Sequence, residues 1–285
     1  MIKDYVHALG LIPQNALSFA VGAVVRVKLP APVQKPINKA FVSLFKINMN
    51  EADRPLETYE SIEEIFTRAL KTNERSISGS YVSSADGVLE MSRPASNADE
   101  AIQAKGISYS LSDLILGKPS KSLDAKWYTT VYLAPHNYHR VHSPFSGKVT
   151  NLRYIPGRLW PVNRPAVRAI NQLFCRNERL VFDYELSNGG KAWVVMVGAL
   201  NVGRMVTPLR PDFVTNALHS LVKVTPKPVE MTLPEPVTVK AGDEIGTFML
   251  GSTTVVVLDG KALETLKPKQ VDEPQKVTMG QNLSQ

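Results

Sequence analysis

Cys175 is the only cysteine in 285 residues. A single thiol allows no disulfide framework and no cysteine-based metal site within the chain, and it fits a reducing compartment. Long apolar runs are also missing. No segment reaches the roughly 18 consecutive apolar residues of a membrane span, and the best stretch, Ala16 to Val25, is too short. A secretory signal is not expected, because Lys3 ahead of this stretch is balanced by Asp4. Arg26 and Lys28 follow where small cleavage-site residues would stand. Acidic residues are scarce in positions 1–50, where Asp4 is alone against Lys3, Arg26, Lys28, Lys35, Lys39 and Lys46. The whole chain has 33 Lys and Arg against 26 Asp and Glu, a formal net charge of +7, so most of the excess lies in this N-terminal part. No aromatic–basic interleaving or nucleic-acid module accompanies it, so no nucleic-acid partner is expected. A basic, apolar-rich N-terminus suits an anionic membrane surface, where each base contributes about 1 kcal/mol.

What the chain does contain reads as α+β, mainly β. Residues 5–50 read as two or three helices broken at Pro13 and at Pro30-Ala31-Pro32. Their apolar members Leu9, Leu11, Leu17, Phe19, Val21, Val24 and Val25 suit an interfacial, membrane-associating helix or a helix packed on the core. Ser61 followed by Glu64 is a capping-box pattern opening a further short helix. From about residue 78 the texture is β. Trp127–Leu133, Gly147–Tyr154, Arg179–Tyr184, Ala192–Val197, Val237–Val239, Ile245–Met249 and Thr253–Leu258 are rich in Val, Thr and aromatics. Arg164 to Asn177 reads as a short helix and loop, and the tail after Lys267 as loose at its end. Ser143–Val149 and Lys240–Gly246 resemble the turns of barrel-sandwich folds, without the tip lysine a carrier function would need. Two regions are expected: residues 1–50 as a docking region and 51–285 as a catalytic domain.

Three histidines lie together in Pro135-His136-Asn137-Tyr138-His139-Arg140-Val141-His142. Zinc pairs on a helix favour a spacing of four; here the spacing is three in strand-and-loop context, so acid–base work is favoured and no metal is expected. Asp86-Gly87 is a hairpin-turn dipeptide by itself. Ser252, in Leu250-Gly251-Ser252-Thr253, stands between two strand-like runs. Its hydroxyl could attack the Gly251 carbonyl and open the chain there. Asp86, His142 and Ser252 together form the set that activates a nucleophile. A triad serine hydrolase acting on lipid esters is therefore an alternative, although the Gly-x-Ser-x-Gly elbow is absent.

Leu250-Gly251-Ser252-Thr253, Tyr138-His139-Arg140-Val141-His142 and Ala85-Asp86-Gly87 together resemble the phosphatidylserine decarboxylases of bacteria and mitochondria. Gln103-Ala104-Lys105-Gly106, Tyr132-Leu133-Ala134-Pro135, Val162-Asn163, Arg176-Asn177-Glu178-Arg179 and Val197-Gly198-Ala199 extend the match from roughly residue 40 to 260. His136-Asn137 departs from the Arg-Asp common in bacterial members. The resemblance implies self-cleavage between Gly251 and Ser252 into a β chain (1–251) and an α chain (252–285) that stay associated. It implies a covalent pyruvoyl group made from Ser252, which forms a Schiff base with phosphatidylserine and releases CO2 to leave phosphatidylethanolamine. Asp86 would orient His142, His142 would take the Ser252 proton, and His139 or His142 would protonate the product, with His139 favoured. Arg158 and Asn163 are headgroup candidates, with a structural turn as the other reading. The resemblance implies a peripheral protein on the cytoplasmic face of the bacterial inner membrane and allows a homodimer of such heterodimers.

Overall fold

The computed structural model describes residue 10 and residues 13–96, 99–104, 106–120, 123–200, 204–215, 228–249 and 252–285. The helices break where proline dictates. Helix α1 (Gln14–Val25) starts after Pro13, and α2 (Ala31–Phe45) follows Pro30 with a proline in its first turn. Their burial is inverted. The side chains turned to the body are polar, Gln14 and Ser18 in α1 and Gln34 and Asn38 in α2, while Val24 is 69% and Leu44 75% exposed. The polar face is satisfied internally: Gln34 Nε2 donates to Asn38 Oδ1 at 2.7 Å, and Asn38 Nδ2 donates to the Tyr59 carbonyl at 2.8 Å. A small cluster of Ile47, Tyr59 and Ile65, with Phe41 and Val42 of α2 packed against it, seats α2 on the body. Helix α3 (Ile62–Phe66) has the expected Ser61 cap, whose Oγ accepts from the Glu64 N–H at 3.2 Å. The Glu64 carboxylate reaches back to the Glu60 N–H, one residue before the position a capping box uses.

The body is built on an antiparallel sheet. Its strands are β1 (Gly87–Pro94), β4 (Trp127–Tyr132), β6 (Gly147–Ile155), β7 (Arg179–Glu185), β8 (Lys191–Val197), β10 (Val229–Met231), β11 (Val237–Val239), β13 (Thr253–Leu258) and β14 (Gln275–Val277). They run in the order β10-β6-β7-β8-β13-β4-β1-β14, with β11 also on β6. A second sheet joins β5 (Arg140–His142), β12 (Glu244–Phe248) and β9 (Met205–Val206), and β2 (Glu100–Ala104) pairs with β3 (Ile107–Ser110). Strand β13 is paired on both sides, to β4 and to β8, and all its residues are buried. That is why it reads as an unbroken run of Thr and Val rather than an alternating one. Both faces of the large sheet are covered. On one, the buried Arg179 donates to the Leu114 and Asp113 carbonyls of α4 (Leu111–Leu116). On the other, Met196 packs so close to Gly246 of β12 that a Cβ there would run into its sulfur.

The Arg164–Asn177 interval holds two single-turn helices, α5 (Arg164–Val167) and α6 (Leu173–Arg176). The two barrel-sandwich-like turns meet: the Gly242 N–H donates to the Ser143 carbonyl and the Ser143 N–H to the Asp243 carbonyl. The tail departs from expectation. After α7 (Gly260–Leu266) it is not loose but packed, β14 lying on β1. The Leu283 N–H donates to the Tyr81 carbonyl at 2.8 Å, and Met279 and Leu283 are buried. The polar composition hides this, because backbone hydrogen bonds to distant segments and a few scattered apolar side chains, Val277, Met279 and Leu283, make the contacts.

Candidate active site

Asp86, His142 and Ser252 come from three separate stretches, and Ser84 gathers them. The His142 N–H donates to the Ser84 carbonyl at 2.8 Å. The Ser84 hydroxyl lies 3.0 Å from that of Thr254, two residues beyond Ser252. Asp86 is two residues after Ser84. Gly87 is required there by close packing rather than by a turn, since a Cβ would run into the Tyr132 carbonyl as β1 meets β4.

Ser252 precedes β13 and is completely buried. Its carbonyl accepts from the Leu133 N–H at 2.8 Å, while its hydroxyl has no hydrogen-bond partner among the described residues. An unpaired buried hydroxyl costs about 1–3 kcal/mol, and such costs concentrate at functional sites. Leu250 and Gly251, on the other side of the expected cleavage point, lie outside the described residues.

His142 is 8% exposed. Its Nδ1 lies 2.7 Å from the Gly242 carbonyl, which can only accept, so the proton sits on Nδ1. Nε2 then accepts from the Tyr138 hydroxyl at 2.9 Å. Burial lowers the pKa of the ring, more than the Gly242 carbonyl and the Glu244 and Asp86 charges raise it. The site thus holds a neutral imidazole with its lone pair at Nε2. The expected direct Asp86–His142 bond is not formed. Asp86 is instead gripped at both oxygens by Arg75, Nε to Oδ1 at 3.0 Å and Nη2 to Oδ2 at 2.5 Å. The Met279 N–H also donates to Oδ1, at 2.7 Å. A guanidinium fork fits a carboxylate better than a single ring N–H does, and His142 has a nearer carbonyl.

His139 is wholly buried, with its ring 3.9 Å from that of Phe66 and neither nitrogen hydrogen-bonded among the described residues. Burial, then the Arg68 charge, hold its pKa well below the ordinary histidine value. His136, by contrast, is exposed. The headgroup candidates divide differently. Asn163 caps α5, its Oδ1 accepting from the Ala166 N–H at 3.1 Å. The exposed Arg158 places its guanidinium 5.7 Å from the Trp160 ring. Both side chains have structural employment. Arg75, Tyr138 and Gly242 were missed as site residues. Tyr138 has a signal in its spacing four before His142, whereas nothing in the sequence pairs Arg75 with Asp86.

One further ionisable group stands at the same end of the sheet. Arg179, Val197 and Thr253 are in register, so Glu178 is two strands from Ser252. It is fully buried, accepts from the Tyr154 and Thr215 hydroxyls, and is pushed up to about 8 by burial. A carboxyl so raised must take up a proton on folding at any pH between its ordinary value and about 8. Stability therefore falls as pH rises through that window, by at most about 1.4 kcal/mol per unit. Glu178→Gln is expected to remove the slope; urea midpoints at pH 5 and pH 8 check it, and parallel wild-type and variant curves count against it.

A cavity of about 880 Å³ opens beside Thr253, walled by Met91, Tyr132, Val162 and Phe174 among others, with both bases (Arg164, Arg168) and acids (Glu90, Asp272, Glu273) in its lining. It is of the size of small-molecule sites.

A family profile described as phosphatidylserine decarboxylase matches residues 62–285. The chain belongs to the phosphatidylserine decarboxylase family. A phosphatidylserine decarboxylase proenzyme of Anaeromyxobacter sp. (strain K) is 39% identical over 266 residues, covering 90% of each chain. One of Helicobacter pylori (strain ATCC 700392 / 26695) is 35% identical over 260 residues, 90% of this chain and 94% of its own. One of Alcanivorax borkumensis is 36% identical over 281 residues, 93% and 92% of the two chains. Membership makes the chain a carboxy-lyase and leaves the serine hydrolase alternative without support. The sequence resemblance to decarboxylases of this family is thereby borne out.

Proposed function

We propose that the chain is the precursor of a phosphatidylserine decarboxylase that converts Ser252 into a pyruvoyl group. The observation that carries this is the enclosed, unpartnered Ser252 hydroxyl at the start of the central strand, in a chain of this family. His142 takes the Ser252 proton at Nε2, where the Tyr138 hydroxyl must yield its place or relay. The serine oxygen attacks the Gly251 carbonyl, and the peptide bond becomes an ester. Loss of the Ser252 α-proton breaks the ester C–O bond and frees residues 1–251 with a new carboxylate. The dehydroalanine left on residue 252 rearranges and loses ammonia to water. Residues 252–285 then remain seated, because β13 is hydrogen-bonded on both sides and β14 on β1.

The residues present fit such a group: it would sit where the Ser252 hydroxyl is enclosed, next to the buried Thr253 and the cavity. When formed, a pyruvoyl ketone condenses with the substrate amine and draws off the electron pair as CO2 leaves. The apolar wall of the cavity takes the first carbons of the lipid. His139 delivers the proton to the carbon that has lost CO2. Burial and Arg68 disfavour its charged form, so its imidazolium would be a strong donor. Intact mass of the purified chain tests the reading. Two chains, the short one lighter by one ammonia than a serine-started peptide, support it; a single uncut chain sinks it.

The lipid substrate calls for a membrane surface, and α1 and α2 supply a face for one. Leu17, Val24, Val27, Leu29, Val33, Leu44 and Phe45 are exposed, while Gln14, Ser18, Gln34 and Asn38 face inward and Lys35 and Lys39 stay on the surface. Among the described residues no helix is long and apolar enough to cross a membrane, so this face would lie on the bilayer. The Asn15 side chain of α1 donates to the Gly157 carbonyl at 3.1 Å. That loop runs on to Val162 in the cavity wall. Arg26 adds positive charge, whereas Lys28 is ion-paired to Glu60 and Glu64. Leu44→Asp with Val24→Asp is expected to weaken binding to anionic vesicles by roughly tenfold or more and to leave self-cleavage intact. Sedimentation with vesicles, read beside a gel of the two chains, measures both, and unchanged vesicle binding would remove this face from the proposal. The docking residues 1–50, the homodimer of heterodimers and the cytoplasmic-face location stand as parts of the same proposal.

A further inference from the structure

The grip of Arg75 on Asp86 continues into a chain of buried ion pairs. Arg75 Nη2 also meets Glu51 Oε2 at 2.9 Å. Glu51 Oε1 meets Arg68 Nη2 at 3.5 Å. Arg68, whose side chain is wholly buried, points its guanidinium at the His136 and Asn137 carbonyls, both at 3.4 Å, on the loop that leads into His139. The order Asp86–Arg75–Glu51–Arg68 therefore connects the surroundings of His142 with those of His139. The side chains of Arg75, Glu51 and Asp86 are 10%, 15% and 8% exposed, so water screens their charges little.

The charges facing His142 come from several elements. Arg140 and Glu244 lie on β5 and β12 and are paired to each other at 3.0 Å. The Tyr138 hydroxyl and the Gly242 carbonyl are neutral partners. Asp86 is the remaining acid, two residues from Ser84, whose carbonyl accepts the His142 N–H at 2.8 Å. Its charge is offset by Arg75, and Arg75 is itself shared with Glu51.

We infer that Arg75 and Glu51 are positioning residues that set how much of the Asp86 charge reaches His142, and so the pH at which His142 can act as the base of self-cleavage. The inference rests on the reading of Ser252 as the self-cleaving serine. A neutral His142 is the competent form. Removing the Arg75 charge leaves Asp86 and Glu51 uncompensated and favours imidazolium. The acid limb of self-cleavage then moves to higher pH. Removing the Glu51 charge leaves Arg75 more positive and moves the limb to lower pH.

The test uses full-length chain made by cell-free synthesis, moved into buffers between about pH 5 and 9 and followed by gel for the rate of appearance of the two chains. Arg75→Gln is expected to shift the acid limb up by roughly 0.5–1 pH unit, and Glu51→Gln to shift it down by a similar amount. Arg75→Lys keeps the charge but not the fork, so its limb stays near that of wild type while its rate falls at every pH. A merely structural role lowers the rates without moving the limbs. Unshifted limbs, or shifts of one sign for both Gln variants, overturn the inference. If Arg75→Gln does not fold, Glu51→Gln and Arg75→Lys decide it. A wild-type chain that stays uncut at every pH defeats the underlying reading instead, a different result from a wild-type chain that cuts with unshifted variants.

Discussion

The Ser252→Ala chain is expected to stay whole, carry no carbonyl group and lose decarboxylase activity by roughly 10⁴-fold or more, since both stages of the chemistry run through this one side chain. Its fold should not suffer. The Ser252 hydroxyl is buried and without a hydrogen-bond partner among the described residues, so alanine removes a polar group whose desolvation nothing offsets. The gain is about 1–3 kcal/mol at most, against the loss of one small atom from a packed site. Intact mass and thermal unfolding read the two effects together. An uncut variant with a melting temperature equal to or above that of wild type is the expected result. A cut Ser252→Ala chain would place the reactive residue elsewhere.

Deleting residues 279–285 is expected to slow self-cleavage by roughly a hundredfold, although the deletion begins far along the chain from Ser252. The reason lies in the backbone bonds this segment makes around Asp86. The Met279 N–H donates to Asp86 Oδ1 at 2.7 Å, a charge-assisted bond to a buried carboxylate. The segment also holds the stretch before Asp86, with the Gly280 N–H on the Ser83 carbonyl, the Ser83 N–H on the Gln281 carbonyl and the Leu283 N–H on the Tyr81 carbonyl. Leu283→Ala separates the two contributions: it weakens packing by about 2–4 kcal/mol but keeps the Met279 amide in place. If it cleaves at the wild-type rate while the deletion does not, the backbone bonds of the segment, the Met279 amide on Asp86 among them, are what matter rather than its side-chain packing. Should the deletion cleave normally, the tail has no part in the site.

The strands were legible because their residues repeat one physical demand. Val237–Val239 and Thr253–Leu258 match expectation residue for residue, since β-branched side chains suit a buried, pleated surface. Pro13 and Pro30 stand immediately before the two N-terminal helices, and Pro32 sits in the first turn of the second, where its missing N–H costs nothing; these effects act locally. The tail was misread for the converse reason. Its residues are mostly polar and carry no period, and what holds them is backbone pairing with segments far away in the chain together with the burial of Val277, Met279 and Leu283, which composition cannot express.

The candidate site divides along the same line. Asp86, His139, His142 and Ser252, and the cleavage point at Gly251–Ser252, came from motif resemblance in the sequence, as did membership of the family that the relatives bear out. Their hydrogen-bond partners did not. That Asp86 binds Arg75 and the Met279 amide, and that His142 donates to Gly242 and accepts from Tyr138, follows from long-range packing. Residue identity determines which chemistry is available, since that resides in functional groups. Only the tertiary structure decides which donors lie within 3 Å of each acceptor and how much water is excluded, and those two quantities set the charge and protonation of every group in the site.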